Sequence, residues 1–456
     1  MARDVTDARP VSGRDELVAA IAAGEKPASD WKVGTEHEKV PFYRGSHLPV
    51  PYEGERGIRA LLEGMAGLNG WDPILDEGRP IGLSDAAGGG AISLEPGGQF
   101  ELSGAPFRDT HGTAAELARH LGEVRRIGEP LGIAFLTLGM SPKWTRAETP
   151  VMPKQRYRIM ADYMPKVGTF GLDMMFRTAT VQANLDFGSE ADMVRKLRVS
   201  LALQPLATAL FANSPFTDGR PNGLLTMRSE IWRDTDRNRT GMLPFAYEDG
   251  MGYERYVDYA LDVPMYFVKR GDTYHDVAGA SFRDLLAGRL PQLPGEFATA
   301  SDWTNHLSTI FPEVRLKSFL EMRGADNGPA EMIVALAAFW VGILYDADAL
   351  QAAYDLVRPW SAEDRQALRD AVPRLGLRAE VAGRTLRDVA AEVLDLARAG
   401  LVRRAMPGPH GQDETAHLDP LFAVVDAGRT GAEALLERYG SAWAGSVEPA
   451  FRDCVF

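Results

Sequence analysis

The chain contains a single cysteine, Cys454, among its 456 residues. No intramolecular disulfide can therefore form, and a zinc site with several cysteine ligands is excluded. Basic residues are also few, 50 against 63 acidic ones, which gives a net charge of −13 with histidine neutral. Because sequence-independent binding of DNA or RNA needs a basic surface, we expect no nucleic-acid partner.

The sequence also lacks a long apolar run. The longest one, from Met332 to Tyr345, has about two thirds of the length needed to span a bilayer. We interpret it as a buried helix, and we expect no membrane partner. The first residues contain no apolar segment typical of a secretory signal, so we expect a cytoplasmic protein.

Several nucleotide-binding and catalytic motifs are absent. There is no Gly-Lys-Ser/Thr phosphate loop and no Gly-x-Gly-x-x-Gly, so the P-loop and Rossmann signatures are missing. Neither Gly-x-Ser-x-Gly nor His-Glu-x-x-His occurs, which disfavours serine hydrolases and zinc proteases. The segment from Asp234 begins like a calcium loop, but Arg239 and Phe245 stand where that loop needs glycine and glutamate.

The composition is that of a folded protein, with 45% apolar and 25% charged residues. No repeat, low-complexity tract or linker divides the chain. We therefore predict a single domain over residues 1–456, in which residues 346–456 form a helical C-terminal part. Helical periodicity is clear in this part and in several segments before it.

Between the helices lie four segments with strand-like alternation, whose non-core positions carry carboxylates, amides and cations. These positions include Glu36 and Glu38 in residues 33–40; Glu95, Gln99 and Glu101 in a predicted hairpin over residues 92–103; Gln182 and Asn184 in residues 180–187; and Arg315, Lys317, Glu321 and Arg323 in residues 314–323. Solvated faces of an antiparallel sheet alternate in the same way. Four such faces on one sheet would instead line a concave acidic site, as expected for oxygen-ligated Mg²⁺ beside a nucleotide polyphosphate.

Seven segments resemble plant-type (proteobacterial) glutamate–cysteine ligase. They are GTEHEK (34–39), SLEPGGQFELSG (93–104), YMPKVG (163–168), MRSEIW (227–232), DYALDVPMY (258–266), FPEVRLK (311–317) and LEMRGAD (320–326). The resemblance extends from about Trp31 to Asp346, and the C-terminal helical region resembles the family only loosely.

The resemblance implies an α+β fold of the glutamine synthetase-like superfamily. In this fold a curved, mainly antiparallel sheet forms a funnel-shaped active site, helices pack outside it, and the C-terminal region is helical. The implied reaction is ATP-dependent ligation of the γ-carboxylate of glutamate to the amine of cysteine through γ-glutamyl phosphate. It is the first step of glutathione biosynthesis, with Mg²⁺ as cofactor and ATP as co-substrate.

The resemblance also implies roles for individual residues. The expected Mg²⁺ ligands are Glu36, Glu38, Glu95, Glu101 and Glu321. The expected phosphoryl-stabilising cations are Arg323, Arg315 and, more weakly, Lys317. We expect Arg228 with Trp232, or else Arg239, to bind the glutamate α-carboxylate, because arginine favours bidentate recognition. Gln99, Gln182 and Asn184 would orient the amino acids, and Tyr163 and Met164 would form the apolar part of the cysteine pocket. For each substrate-binding residue, packing within the sheet is the alternative.

Plant members resemble this chain but carry cysteines that form regulatory disulfides, together with a plastid transit peptide. We find neither here, so we expect a bacterial-type cytoplasmic enzyme without internal disulfide control, as a monomer or homodimer. Two alternatives remain open. One is a related glutamate ligase with a different amine acceptor, and the other is a non-catalytic glutamate or nucleotide sensor that keeps the fold.

Overall fold

A computed structural model describes residues 7–409 and 411–456. Its strands are β1 (Val33–Tyr43), β2 (Asp72–Asp76), β3 (Arg79–Ser84), β4 (Ala91–Leu94), β5 (Phe100–Ser103), β6 (Ile133–Leu136), β7 (Thr180–Leu185), β8 (Phe216–Thr217), β9 (Arg220–Pro221), β10 (Thr240–Gly241), β11 (Phe267–Arg270), β12 (Thr273–Asp276), β13 (Phe311–Pro312), β14 (Val314–Leu316), β15 (Leu320–Asp326), β16 (Glu380–Val381) and β17 (Arg384–Thr385).

The α-helices of the same residues are α1 (Arg14–Ala22), α2 (Ile58–Asn69), α3 (Thr110–Leu131), α4 (Gln155–Tyr163), α5 (Gly171–Arg177), α6 (Glu190–Leu210), α7 (Met227–Trp232), α8 (Tyr253–Asp262), α9 (Phe282–Leu286), α10 (Ala300–Leu307), α11 (Ala330–Leu344), α12 (Ala347–Val357), α13 (Ala362–Leu375), α14 (Leu386–Arg404), α15 (Asp419–Ala427), α16 (Gly431–Gly440) and α17 (Ala450–Asp453). The C-terminal region is mainly helical, as predicted.

One large sheet organises the molecule. Its strand order is β14-β15-β7-β1-β5-β4-β3-β2, and β6 pairs with the end of β1. Every pairing in this sheet is antiparallel. Residues that pair across antiparallel strands project from the same face. Glu38 pairs with Glu101 and Glu36 with Gln182, so these four polar side chains share one face.

The other face of the sheet is apolar and covered by helices. Ala183 pairs with Met322, both buried, and α3, α6 and α11 pack on this side. Because α11 is buried nearly all round, its residues are apolar in every direction. It corresponds to the buried helix predicted over Met332 to Tyr345. The result is the expected α+β arrangement, a curved antiparallel sheet with helices outside.

The C-terminal helices reach this core through a close helix crossing. A Cβ at Gly400 of α14 would lie 1.9 Å from the carbonyl oxygen of Gly342 in α11. Only glycine allows two helix backbones to approach so closely. Among the described residues, no single helix is long and apolar enough to cross a membrane; α11 and α12 meet that length and composition only as a pair bent by 89°.

The structure corrects the interpretation of residues 314–323 as one alternating segment. They form a hairpin of β14 and β15, in which Arg315 pairs with Glu321. The chain turns where the Lys317 N–H donates to the carbonyl oxygen of Phe319, at 2.8 Å. Arg315 and Glu321 still share a face, but as cross-strand neighbours, while Lys317 lies in the turn.

Candidate active site

Three glutamates on the polar face form a compact carboxylate cluster. Glu38 lies on β1, Glu101 faces it from β5, and Glu95 follows β4 at the turn of the hairpin. Each offers an oxygen within 4.8 Å of those offered by the others. The turn is fixed by two backbone hydrogen bonds, from Glu95 N–H to Gln99 (3.0 Å) and from Gly98 N–H to Glu95 (2.9 Å).

The charges in this cluster repel one another. Burial raises the pKa of Glu38 well above its usual range, and the neighbouring carboxylates of Glu95 and Glu101 raise it further. The Thr180 N–H holds one Glu38 oxygen at 3.0 Å. Crowded carboxylates that the fold orients in this way fit a divalent cation with oxygen ligands, which would offset their charge.

A second cluster has the opposite balance of charge. Glu321 is fully buried and forms salt bridges with Arg315 (2.7 Å), Lys317 (2.7 Å) and Arg323. Burial alone would raise the pKa of Glu321, but these three cations together hold it well below its usual range. Arg323 also donates to the side-chain oxygen of Gln182 at 2.6 Å. Glu321 is therefore an anion surrounded by cations and stands apart from the carboxylate cluster.

Both clusters meet at a cavity of about 90 Å³, which we call the inner cavity. Arg228 and Trp232 of α7 form part of its wall, with the Arg228 guanidinium 5.8 Å from the centre of the Trp232 ring. One Arg228 nitrogen donates to the Arg323 carbonyl at 2.9 Å. The buried Nε of Arg228 and the indole nitrogen of Trp232 have no hydrogen-bond partner in the described part of the chain. Buried donors without partners favour a ligand that supplies acceptors.

A larger cleft of about 1100 Å³ adjoins the inner cavity. Its cations are Lys26, Lys32, Arg108 and Lys317, and its aromatic side chains are Trp31, Trp303 and Phe319. Glu36 lines both spaces and accepts a hydrogen bond from the Asn184 amide at 2.9 Å. Cations and aromatic rings around an open cleft suit a nucleotide.

Most of the site residues predicted from the sequence come together here. The inner cavity is lined by Glu36, Glu38, Glu95, Glu101, Gln99, Gln182, Arg228, Trp232, Arg315 and Arg323, and the larger cleft by Glu36, Asn184 and Lys317. Gln99 is also anchored in the fold, because its amide donates to the carbonyl of Thr178 at 2.7 Å. Glu321 lies among its cations and lines neither space.

Three predicted substrate-binding residues also lie elsewhere. Arg239 is fully buried, and its three nitrogens donate to Asp236 (2.6 Å) and to two backbone carbonyls. Met164 is packed in the apolar core, and Tyr163 stacks edge-on against Tyr266, 5.5 Å between ring centres. None of the three lines the inner cavity or the larger cleft.

The apolar side of the inner cavity comes from residues that the sequence analysis did not identify. They are Tyr157 and Met160 of α4, and Met174 and Met175 of α5. Lys154 and Arg156, next to α4 and within it, also line the cavity. The only sequence signal for α4 was the spacing of Arg156, Tyr157 and Met160, which share one helical face.

Relatives of known name are similar to almost the whole chain. Glutamate–cysteine ligase B of Oryza sativa subsp. japonica, named chloroplastic, is 53% identical over 97% of this chain and 87% of its own length. The chloroplastic glutamate–cysteine ligase of Nicotiana tabacum is 54% identical over 99% of this chain and 84% of its own length.

These names correct the expected location. The sequence predicted a cytoplasmic protein, but the relatives are named chloroplastic, so that prediction is contradicted. It rested on the lack of an apolar leader and on the lack of a recognisable plastid transit peptide. Plastid-targeting segments are rich in serine and arginine rather than apolar, so the lack of an apolar leader does not argue against a plastid location.

A solved structure agrees in fold. Glutamate–cysteine ligase of Francisella tularensis, solved in complex with AMP, superimposes with a TM-score of 0.57 over 91% of this chain and 86% of that one, at 13% identity. A sequence profile of glutamate–cysteine ligase family 2 (GCS2) matches residues 32–453. The profile and the relatives lead to one conclusion: the chain belongs to glutamate–cysteine ligase family 2.

Proposed function

We propose that this chain ligates glutamate to cysteine in the first step of glutathione biosynthesis. In the proposed reaction a γ-carboxylate oxygen of glutamate takes the γ-phosphoryl group of ATP, and ADP leaves. The amine of cysteine then attacks the carbonyl carbon of the γ-glutamyl phosphate, the C–N bond forms, the bond from that carbon to the phosphate oxygen breaks, phosphate leaves, and the amine gives up a proton. The observation that carries this proposal is one cavity in which a carboxylate cluster meets a cluster of cations.

The carboxylate cluster is our proposed metal site. Glu38, Glu95 and Glu101 would hold Mg²⁺, which when bound offsets the charge of the transferring phosphoryl oxygens. Glu36, on the wall shared with the larger cleft, is our proposed ligand for a further Mg²⁺. Glu321 was also expected to bind Mg²⁺, but its carboxylate is already paired with three cations and lines neither space, so it is not part of the proposed metal site. The crowding that raises the pKa of Glu38 supports a cation at the three-glutamate site.

We propose that ATP occupies the larger cleft, with its phosphates directed toward Glu36. Lys317 already lies on the cleft wall, and Arg315 and Arg323 lie on the wall of the inner cavity beyond it. These cations are fixed by Glu321 before any phosphate arrives. Donors that are positioned in advance stabilise developing charge without the cost of reorganising during the reaction.

Glutamate is proposed to bind in the inner cavity through Arg228. Its buried guanidinium has an unpaired Nε, and Trp232 beside it has an unpaired indole N–H. An α-carboxylate would satisfy both donors. Gln182 and Gln99 line the same cavity and would orient the amino acids. Arg239 is not part of this proposal, because its nitrogens are already bonded.

The acceptor pocket is proposed to lie on the apolar side of the same cavity. Met160, Met174 and Met175 provide polarisable sulfur there, which suits a thiol side chain. This set replaces Tyr163 and Met164, which lie outside the cavity.

We also propose that residues 1–456 act as one catalytic domain. A single apolar cluster contains residues from Val11 to Val425, so the C-terminal helices share a core with the sheet. Breaking such a core would expose both parts to water.

A coupled ATPase assay tests the proposed function. Glutamate is supplied with one amine at a time, and the product is identified by mass spectrometry. We expect ADP release to require glutamate and to be fastest with cysteine, with γ-glutamylcysteine as the product. Preference for another amine would select the related ligase, and binding of glutamate or ATP without turnover would select the sensor.

A further inference from the structure

We propose that Asp326 is a positioning residue for Arg228, an inference that rests on the proposed role of Arg228 in binding glutamate. Asp326 ends β15, three residues after Arg323, and does not line the inner cavity. Through two hydroxyl groups, its carboxylate fixes the first turn of α7, which carries Arg228. It would thereby aim the guanidinium at the carboxylate of bound glutamate.

The first connection runs through Ser214. The Ser214 hydroxyl donates to Asp326 Oδ2 at 2.7 Å and accepts the backbone N–H of Arg228 at 3.1 Å. A hydroxyl has one hydrogen, and a backbone N–H can only donate. The Ser214 oxygen therefore accepts from the Arg228 N–H, and the hydroxyl hydrogen is left to donate to Asp326.

The second connection runs through Thr226, and its hydroxyl likewise donates to Asp326 and accepts from a backbone N–H of α7. Thr226 is the N-cap of α7; its hydroxyl accepts the Ser229 N–H at 3.1 Å and donates to Asp326 Oδ1 at 2.9 Å. Two N–H groups of the first turn, which have no partner within a helix, are thus bonded to hydroxyls held by one carboxylate.

Asp326 is itself rigidly held. It is 1% exposed, and the Asn213 N–H donates to its Oδ2 at 2.9 Å. A Cβ at Gly139 would lie 2.6 Å from the Asp326 carboxyl carbon, so glycine is required there. The negative charge of Asp326 also attracts the buried Arg228 guanidinium and offsets part of its desolvation.

The start of α7 depends on bonds from outside the helix, which also include one from the Met227 N–H to the Ser214 carbonyl oxygen at 3.2 Å. The helix has six residues, too few to be stable by itself in water. If the first turn shifts, the guanidinium shifts with it. An error of about 1 Å in a binding group can cost roughly a hundredfold in rate.

The experiment is a double-mutant cycle on the full chain, with Asp326→Ala, Arg228→Lys and the double variant, and Asp326→Asn as the conservative change. Ser200→Ala is the matched control, because it removes a buried hydroxyl that has no hydrogen-bond partner in the described residues. KM for glutamate, KM for ATP and kcat are measured under saturating cysteine and Mg²⁺.

We expect Asp326→Ala to raise KM for glutamate roughly ten- to a hundredfold, with KM for ATP and kcat within about threefold. Asp326→Asn should be intermediate, because its amide oxygen can keep the Ser214 connection while Thr226 loses its acceptor. The double variant should be no worse than the more severe single variant, since both changes act through one group.

The two proposals fail in different ways. If Arg228→Lys raises KM for glutamate but Asp326→Ala does not, or if their effects add, the positioning role is overturned and the role of Arg228 stands. If Arg228→Lys leaves KM for glutamate unchanged, the role of Arg228 fails and the role of Asp326 fails with it. If Asp326→Ala does not fold, Ser214→Ala takes its place, and an unchanged KM for glutamate in that variant overturns the positioning role.

Discussion

Glu38 is half-buried and Glu321 fully buried. Both lie on the same face of the sheet, yet their surroundings move their pKa values in opposite directions. Burial and two neighbouring carboxylates raise the pKa of Glu38, whereas three cations hold that of Glu321 low despite its burial. Their neighbours, rather than their chemistry, decide which one is ready to receive a cation and which one is already neutralised.

We predict that Glu38→Gln abolishes most of the Mg²⁺-dependent turnover while the fold survives. The amide keeps the shape but loses an anionic ligand. Loss of an outer partner of a metal ligand already costs up to about a hundredfold, so the loss here should exceed that. The measurements are kcat against Mg²⁺ concentration and the melting temperature without Mg²⁺. The exposed Glu129→Gln is the matched control. Unchanged Mg²⁺ dependence in Glu38→Gln would refute the metal assignment.

A second residue-scale prediction concerns His306. Burial lowers its pKa from 6.5 to about 4, although its hydrogen bond to the Ala260 carbonyl (2.8 Å) opposes the shift. Because the folded protein holds this histidine neutral, its contribution to stability is complete above pH 6.5 and is lost as the pH falls toward 4. The loss is at most about 3 kcal/mol.

This contribution is measurable by urea unfolding between pH 7 and pH 4.5. We expect the fall in the free energy of unfolding over that range to be smaller in His306→Gln than in the wild type, whatever the stability of the variant at pH 7. Parallel pH profiles of the two proteins would contradict the assignment.

At the scale of elements, the β4–β5 hairpin sets the position of two of the three clustered glutamates. Its turn fits tightly against the end of α5. A Cβ at Gly97 would lie 2.1 Å from the carbonyl oxygen of Phe176, and Gly98 has a φ of +88°, which favours glycine.

We therefore predict that Gly97→Ala weakens Mg²⁺ binding and lowers the free energy of unfolding by about 2 kcal/mol, because the hairpin must move away from α5. Calorimetric titration with Mg²⁺ and chemical unfolding measure the two effects. Gly67→Ala in α2, where a Cβ meets nothing within 4 Å, is the control and should be neutral or stabilising by up to about 1 kcal/mol. Wild-type Mg²⁺ affinity in Gly97→Ala would show that the hairpin does not set the site.

The shared face of Glu36, Glu38 and Glu101 was predictable from the sequence because the two-residue period of a strand determines which side chains project together. The same period misled us over residues 314–323. Arg315 and Glu321 have the same parity whether the chain continues or turns back between them, so alternation cannot reveal the β14–β15 turn.

A different reason explains why some predicted substrate-binding residues do not line the cavity. Arg239 was a candidate because of its residue type, which does not reveal its partners, and here Asp236, three residues earlier, already binds its guanidinium. Tyr157, Met160, Met174 and Met175 were missed because they reach the cavity only through the packing of α4 and α5, which no periodicity encodes.

At the scale of the whole molecule, the single cysteine has no second cysteine in the chain with which it could form a disulfide. Cys454 is buried, and burial raises the pKa of its thiol to about 12. We predict that dithiothreitol leaves specific activity unchanged and that iodoacetamide labels the native protein far more slowly than the urea-unfolded one. Activation of several-fold by reductant that persists in Cys454→Ser would contradict this.

The Glu36 side chain lines both the larger cleft and the inner cavity, and the Asn184 amide donates a hydrogen bond that holds it in place. A nucleotide and a glutamate that bind in these two spaces, as proposed, would lie on either side of one carboxylate and within the reach of a short tether. A bisubstrate inhibitor could therefore join a nucleoside portion to a glutamate analogue. It would need only a linker long enough to pass the Glu36 side chain. Once the nucleoside portion is bound, the analogue faces its site at a high effective concentration. A neutral or cationic linker would pass Glu36 more easily than an anionic one.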